Sequence, residues 1–226
     1  MIIIRSAKMR SMLRYLIPAL IIPVALLSAY FAEDYYALAS VVTALMALLL
    51  FAAGFERKQT GSRRLVLVSV ITALSCTGRF IPLFKPVTAL TVITAMYFGC
   101  EAGFLVGALS ALISDLFFGI GPWTPFQMLA WGLIGYFAGF ISRGLLHSRV
   151  LLLFYGIVSG IAFSLIMDVW TVLWYGEGFT LSLYSAAIIT ALPHTLLYSV
   201  SNCLFLLLFA RPLGEKLQRA KTKYLM

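Results

Sequence analysis

The sequence predicts an all-α protein that crosses a membrane several times, with a six-helix core preceded by about two extra transmembrane helices. Three observations carry this. Of the 226 residues, 62% are hydrophobic, against roughly 45–50% in soluble domains. The apolar residues fall in runs, several of about 18 or more, which is the length a helix needs to span the hydrocarbon core. The 17 Lys and Arg residues are also unevenly placed. If successive helices alternate in direction, all of them except Arg79 and Lys85 share one side, and an excess of cations marks the cytoplasmic side.

The first helix is predicted over 13–31, after Arg5, Lys8, Arg10 and Arg14. No A-x-A pattern precedes Glu33 and a second span follows at once, so the segment reads as an uncleaved helix rather than a signal peptide. The second helix is predicted over 35–55. The loop ERKQTGSRR (56–64) brings Arg57, Lys58, Arg63 and Arg64 back to the basic side. It divides a two-helix membrane leader (1–60) from the core with its basic tail (61–226).

The third helix is predicted over 64–82, ending at Pro82, and a short fourth over 86–98, ending near Gly99. The fifth runs over 102–119, the sixth over 126–145, the seventh over 149–173 and the eighth over 184–210. Arg143 and Arg149 flank the turn between the sixth and seventh. The tail carries Arg211, Lys216, Arg219, Lys221 and Lys223. Both termini are then cytoplasmic, and the opposite side carries Glu33, Asp34, Arg79, Lys85, Asp115, Asp168 and Glu177. The net charge of +9 is explained by topology and anionic lipid rather than by nucleic acid. Cys76, Cys100 and Cys203 form no CxxC pair, so a disulfide framework or zinc site is not expected and the cysteines read as small packing residues. No cofactor is expected.

Polar groups at membrane depth must be buried in protein or line a cavity. Here they gather near one end of the core helices. Arg79 closes the third helix and Lys85 follows in RFIPLFKP. Asp115 lies in the last turns of the fifth. Trp123 and Thr124 sit in the loop GIGPWTP (119–125). Gln127 and Trp131 share a face of the sixth helix, as Ser164 and Asp168 do on the seventh, with Trp170 and Trp174 behind them. His194, Tyr198 and Asn202 recur every four residues on the eighth. Together they suggest one outward-facing pocket of polar anchors and aromatic walls. The plainer alternatives are snorkelling anchors for Arg79 and Lys85, an aromatic belt for the tryptophans, and a structural Asp115–Arg79 salt bridge. A second pattern is a run of small residues at every fourth position: Ser69, Ala73 and Thr77 on the third helix, Gly103, Gly107 and Ala111 on the fifth, Gly135 and Gly139 on the sixth. Such stripes let helices approach closely, within the bundle or against another membrane subunit.

Residues 64–210, about two thirds of the chain, resemble the substrate-binding S component of energy-coupling factor (ECF) vitamin transporters. The resemblance rests on GRFIPLFKPVTALTVITAMYFG (78–99) and CEAGFLVGALSALISDLFFGIGPWTPFQMLAWGLIGYFAGFI (100–141). It implies a six-helix binding subunit of a bacterial cell membrane that captures a vitamin on the outer side without chemistry. That subunit then docks on a membrane T subunit powered by two cytosolic ATPases. It implies a ligand site beneath the loops at Arg79–Lys85, Gly119–Gln127 and Asp168–Glu177. It also implies a docking face at Ser69, Ala73 and Thr77, which replace the family's usual pair of alanines. The 78–141 stretch looks most like cobalamin-type S components, with pantothenate or a pyrimidine precursor as other cargoes. The absence of a Walker A motif fits a subunit that borrows its ATPase. Competing classes fare worse. An intramembrane aspartyl protease built on Asp115 and Asp168 lacks the GxGD pattern, and no GxSG supports a rhomboid-like enzyme. A proton-coupled secondary transporter could use Asp115, Asp168 or His194, but no internal repeat supports it.

Overall fold

A computed structural model describes residues 7–30, 36–53, 61–176 and 178–223. Among these, the chain forms nine helices and no strand: α1 (Ala7–Tyr30), α2 (Tyr36–Ala53), α3 (Gly61–Gly78), α4 (Val87–Phe98), α5 (Cys100–Phe118), α6 (Thr124–Phe140), α7 (Ser142–His147), α8 (Arg149–Tyr175) and α9 (Leu181–Lys223). The protein is an all-α, multi-pass membrane protein. By length and composition α5, α8 and α9 can each cross a bilayer, and α1, α2 and α4 contain shorter apolar segments. Arg5, Glu33, Asp34, Arg57, Lys58 and Glu177 lie outside the described residues.

The centre of the bundle is α4. Eleven of its twelve residues, all but Tyr97, are buried. At 1.5 Å per residue it is about 18 Å long, short of the roughly 30 Å hydrocarbon core, and its neighbours α3, α5, α6 and α9 enclose it. A single residue, Gly99, joins it to α5. Its φ of +89° lies where side chains are strained and glycine is not, which permits so sharp a reversal.

Helices α5 and α6 form the tightest pair. A Cβ placed on Gly107 would stand 2.3 Å from the Trp131 carbonyl oxygen, and one on Gly135 would stand 2.4 Å from Gly103 backbone. The glycine stripes of these two helices are therefore spent inside the bundle. The Ser69–Ala73–Thr77 stripe of α3 is exposed along its length. The Thr77 hydroxyl donates to Ala73 O at 2.9 Å, so its one proton is used within the helix and only its acceptor lone pairs face outward.

Cations converge at one end of the bundle. Arg64 donates to Phe98 O, Lys221 donates to Tyr97 O at 3.0 Å, and Arg14 pairs with buried Glu101 at 2.5 Å. The first two satisfy the last carbonyls of α4 and complement the negative end of its dipole. Arg14 belongs to α1, and Tyr136 on α6 donates to the Arg14 carbonyl, so the N-terminal helices pack directly on the core. Arg79 and Asp115 lie at the opposite end of α3 and α5.

Several boundaries differ from the sequence expectation, among them the start of α1, which lies at Ala7 rather than near 13. Helix α3 stops at Gly78 rather than near 82, because Pro82 and Pro86 lack donors and bias their predecessors away from helix. The helix expected over 126–145 breaks at Ile141 into α6 and the six-residue α7. The helix expected to end at 210 runs to Lys223 through Pro212, so the basic tail is helical.

Candidate functional site

The site is organised around Arg79, the first residue past α3. Its side chain is only 8% exposed as a residue and reaches across to α5. There it donates to Ser114 Oγ and to Asp115 Oδ1 at 2.7 Å. The other Asp115 oxygen accepts from Thr124 Oγ1 at 2.8 Å, and Thr124 Oγ1 in turn accepts from the Gly121 amide. One carboxylate thus links the end of α3, the end of α5 and the start of α6. A charge so buried persists only when paired and hydrogen-bonded. Here the carboxylate meets both requirements through Arg79 and Thr124, while Arg79 Nε is buried without a hydrogen-bond partner among the described residues.

The guanidinium is also enclosed by rings. Its carbon lies 5.2 Å from the centroid of Phe118 and 5.2 Å from that of Trp131, distances at which cation and π face attract. The Trp131 indole N–H donates to Thr88 Oγ1 at 3.2 Å. Its ring stacks on Phe163 at 4.7 Å, and Phe163 meets Tyr198 edge-on at 5.3 Å. The wall therefore passes from α6 to α8 to α9, with α4 supplying the hydrogen bond that orients it.

Lys85 lies in the loop between α3 and α4. Its amide donates to Ser201 Oγ at 3.0 Å, and its carbonyl accepts from the same hydroxyl. Burial, and then the Arg79 charge, hold its ammonium below the ordinary lysine range, against Asp115, which raises it. Lys85, Thr88, Trp131, Phe163, Tyr198 and Asn202 line a narrow gap of about 10 Å³, room for one water at most.

The remaining predicted residues sit around this cluster or away from it. Trp123 packs edge-on to Trp170 at 5.9 Å. Gln127, one turn further along α6, has its Oε1 buried without a hydrogen-bond partner among the described residues, as does the Trp170 indole nitrogen. Asp168 is buried on α8 and makes no hydrogen bond or ion pair among the described residues. Trp174 is half-buried and His194 exposed, and neither joins the contacts above. His194 departs from its stripe for a geometric reason. Residues four apart drift about 40° around a helix, so two steps put His194 about 80° from Asn202. Asn202 faces inward and donates to Gly156 O.

Sequence reasoning left out Ser114, Thr88, Phe118 and Phe163, which complete the cluster. Ser114 adjoins Asp115 and was findable as its neighbour. Thr88 is one of three threonines in VTALTVIT (87–94), and nothing local distinguishes it from Thr91 and Thr94. The snorkelling alternative for Arg79 is overturned, because its side chain turns inward to Asp115.

Among the described residues no group of His, Cys, Asp or Glu could hold a metal ion. The arrangement is a buried ion pair beside an aromatic wall. A family model described as ECF-type riboflavin transporter, S component, matches residues 59–219. No curated protein and no solved structure matches the chain.

Proposed function

Because the chain belongs to the family of ECF-type riboflavin transporter S components, a family of transporter binding subunits rather than enzymes, we propose that it captures a flavin at the Arg79 end of the bundle and delivers it by docking on a membrane T subunit driven by two ATPases. The observation that carries this reading is the family match across residues 59–219. The description of that family favours riboflavin over the corrinoid expected from residues 78–141. The site supports a planar aromatic cargo with polar edges. Trp131, Phe163 and Tyr198 supply ring faces and edges. Lys85, Asn202 and the unpartnered Gln127 Oε1 supply polar groups around them. The basic end is then cytoplasmic, and the Arg79 end faces outward.

The exposed α3 face of Ser69, Ala73 and Thr77 is the proposed docking surface, since the α5 and α6 glycines already face each other. The test starts with the full chain purified alone in detergent, titrated with riboflavin and with cobalamin by calorimetry. Riboflavin binding without turnover is the expected result. Cobalamin binding alone would reinstate the corrinoid, and binding of neither would overturn capture by this chain. Ala73→Trp should leave riboflavin affinity unchanged and abolish ATP-dependent uptake in vesicles that also hold the T subunit and ATPases. Uptake that persists without ATP and follows a pH gradient would instead indicate a proton-coupled carrier.

A further inference from the structure

Away from the Arg79 cluster, a groove of about 550 Å³ runs along the side of the bundle. Two helical stripes form its walls. On one side these are Leu74, Thr77 and Gly78 of α3 with Ile81 of the loop beyond it; on α9 they are Phe205, Leu208, Phe209, Pro212, Leu213 and Lys216. Pro86, just before α4, and Leu90 of α4 form the floor. The α9 stripe follows the i, i+3, i+4, i+7 spacing of one helix face, and Leu74, Thr77 and Gly78 share a face of α3. The groove exists because α4 is short and holds α3 and α9 apart, so the two faces oppose each other across a channel instead of meeting.

The α9 stripe changes character along its length. From Phe205 to Leu213 it is apolar. Continued along the same face it becomes Lys216, Arg219 and Lys223, the basic end of the helix. Among the described residues, Lys216 is the one charged residue lining the groove. An apolar channel that opens at a cationic end matches one kind of molecule in a bilayer, a long hydrocarbon chain with an anionic head. Cationic recesses between membrane helices are suited to anionic lipid heads, with about 1 kcal/mol from each nearby Lys or Arg.

We propose that this groove is a seat for an anionic phospholipid of the leaflet on the basic side. One acyl chain lies between α3 and α9 over Leu90, and the phosphate rests on Lys216 with Arg219 beside it. Arg219 also approaches Glu215 at 3.9 Å, so Lys216 is the principal contact. Thr77 lines the groove and also belongs to the exposed α3 stripe, so a seated lipid borders the surface proposed above for docking. The seat itself does not depend on which solute the protein carries.

The experiment compares the full chain, delipidated in detergent, after addition of phosphatidylglycerol or phosphatidylcholine with the same acyl chains. Retained lipid is counted by native mass spectrometry, and riboflavin affinity is measured on the same samples. Phosphatidylglycerol should be retained at one per chain and phosphatidylcholine far less. Lys216→Ala should lower phosphatidylglycerol affinity about fivefold, which is what 1 kcal/mol per cation amounts to. Leu208→Trp, which fills the channel, should prevent retention of either lipid. Riboflavin affinity should stay unchanged in both variants, which separates failure of the lipid seat from failure of the flavin reading. Equal retention of the two lipids would overturn the anionic assignment. Loss with Lys216→Ala but full retention with Leu208→Trp would show a head group adsorbed on the basic tail and would overturn the groove.

Discussion

At the residue scale, Arg79 and Asp115 are held by one another more than by the helices that carry them. Both are buried, and the polar contacts of the carboxylate come from two other segments of the fold, Arg79 beyond α3 and Thr124 at the start of α6. Asp115→Asn keeps the shape of the side chain but leaves a buried cation without a counter-charge. Removing one member of a buried pair costs roughly 3–5 kcal/mol. The midpoint of thermal unfolding in detergent should fall accordingly, and an unchanged midpoint would mean that water reaches the guanidinium. These two residues were legible in the sequence because a charge inside an apolar run is conspicuous. Thr88 and Phe163 were not, because a threonine or phenylalanine in such a run is ordinary until the fold shows what it touches. His194 was misplaced by treating four-residue spacing as a fixed face over two turns.

Among the elements, the α5–α6 contact is the least tolerant of added volume. Gly107→Ala would put a methyl group against the Trp131 backbone. That carbonyl belongs to the helix itself and cannot rotate aside like a side chain. Overpacking of this kind costs typically 1–3 kcal/mol. Gly107→Ala should therefore lower thermal stability, whereas Ala73→Gly on the exposed α3 face should cost only about 1 kcal/mol of helix propensity. Equal losses would mean that the α3 face is packed too. The stripes were readable as stripes, but spacing does not say which partner a small residue admits. Most of the long apolar helices were also readable, since apolar runs of this length have few alternatives in lipid, although the eight expected helices are nine among the described residues. The break at Ile141 was not, because the apolar run continues through it, and neither was the continuation of α9 through Pro212, because the helix goes on where the apolar run gives way to basic residues.

For the whole molecule, the N-terminal pair α1–α2 is tied to the core through Glu101. This carboxylate is 5% exposed and meets Arg14 of α1, while Arg64 lies over the Phe51 ring of α2 at 5.2 Å. Glu101→Ala removes the buried member of the pair and should destabilise the fold more than Arg14→Ala, whose side chain is 47% exposed and can turn to water. The comparison is a pair of unfolding curves; equal effects would show that α1 is held by apolar packing alone. The sequence suggested a junction near residue 60 but carried no sign of this tie, because Glu101 lies in an unremarkable first helical turn.

The narrowness of the gap beside Trp131 has a bearing on time as well as on fit. A flavin cannot occupy about 10 Å³, so one that reaches Trp131 must wait until the Trp131–Phe163–Tyr198 stack parts. If parting comes first, the observed rate of association rises with riboflavin concentration and then levels off at the rate of parting. The apparent affinity is weakened by the fraction of molecules that stand open. Stopped-flow quenching of tryptophan fluorescence reads this directly. A plateau is expected, and a rate that stays linear to high concentration would place the first encounter outside the stack. A subunit that works this way would, once its cargo is abundant, take it up at a speed set by its own aromatic residues.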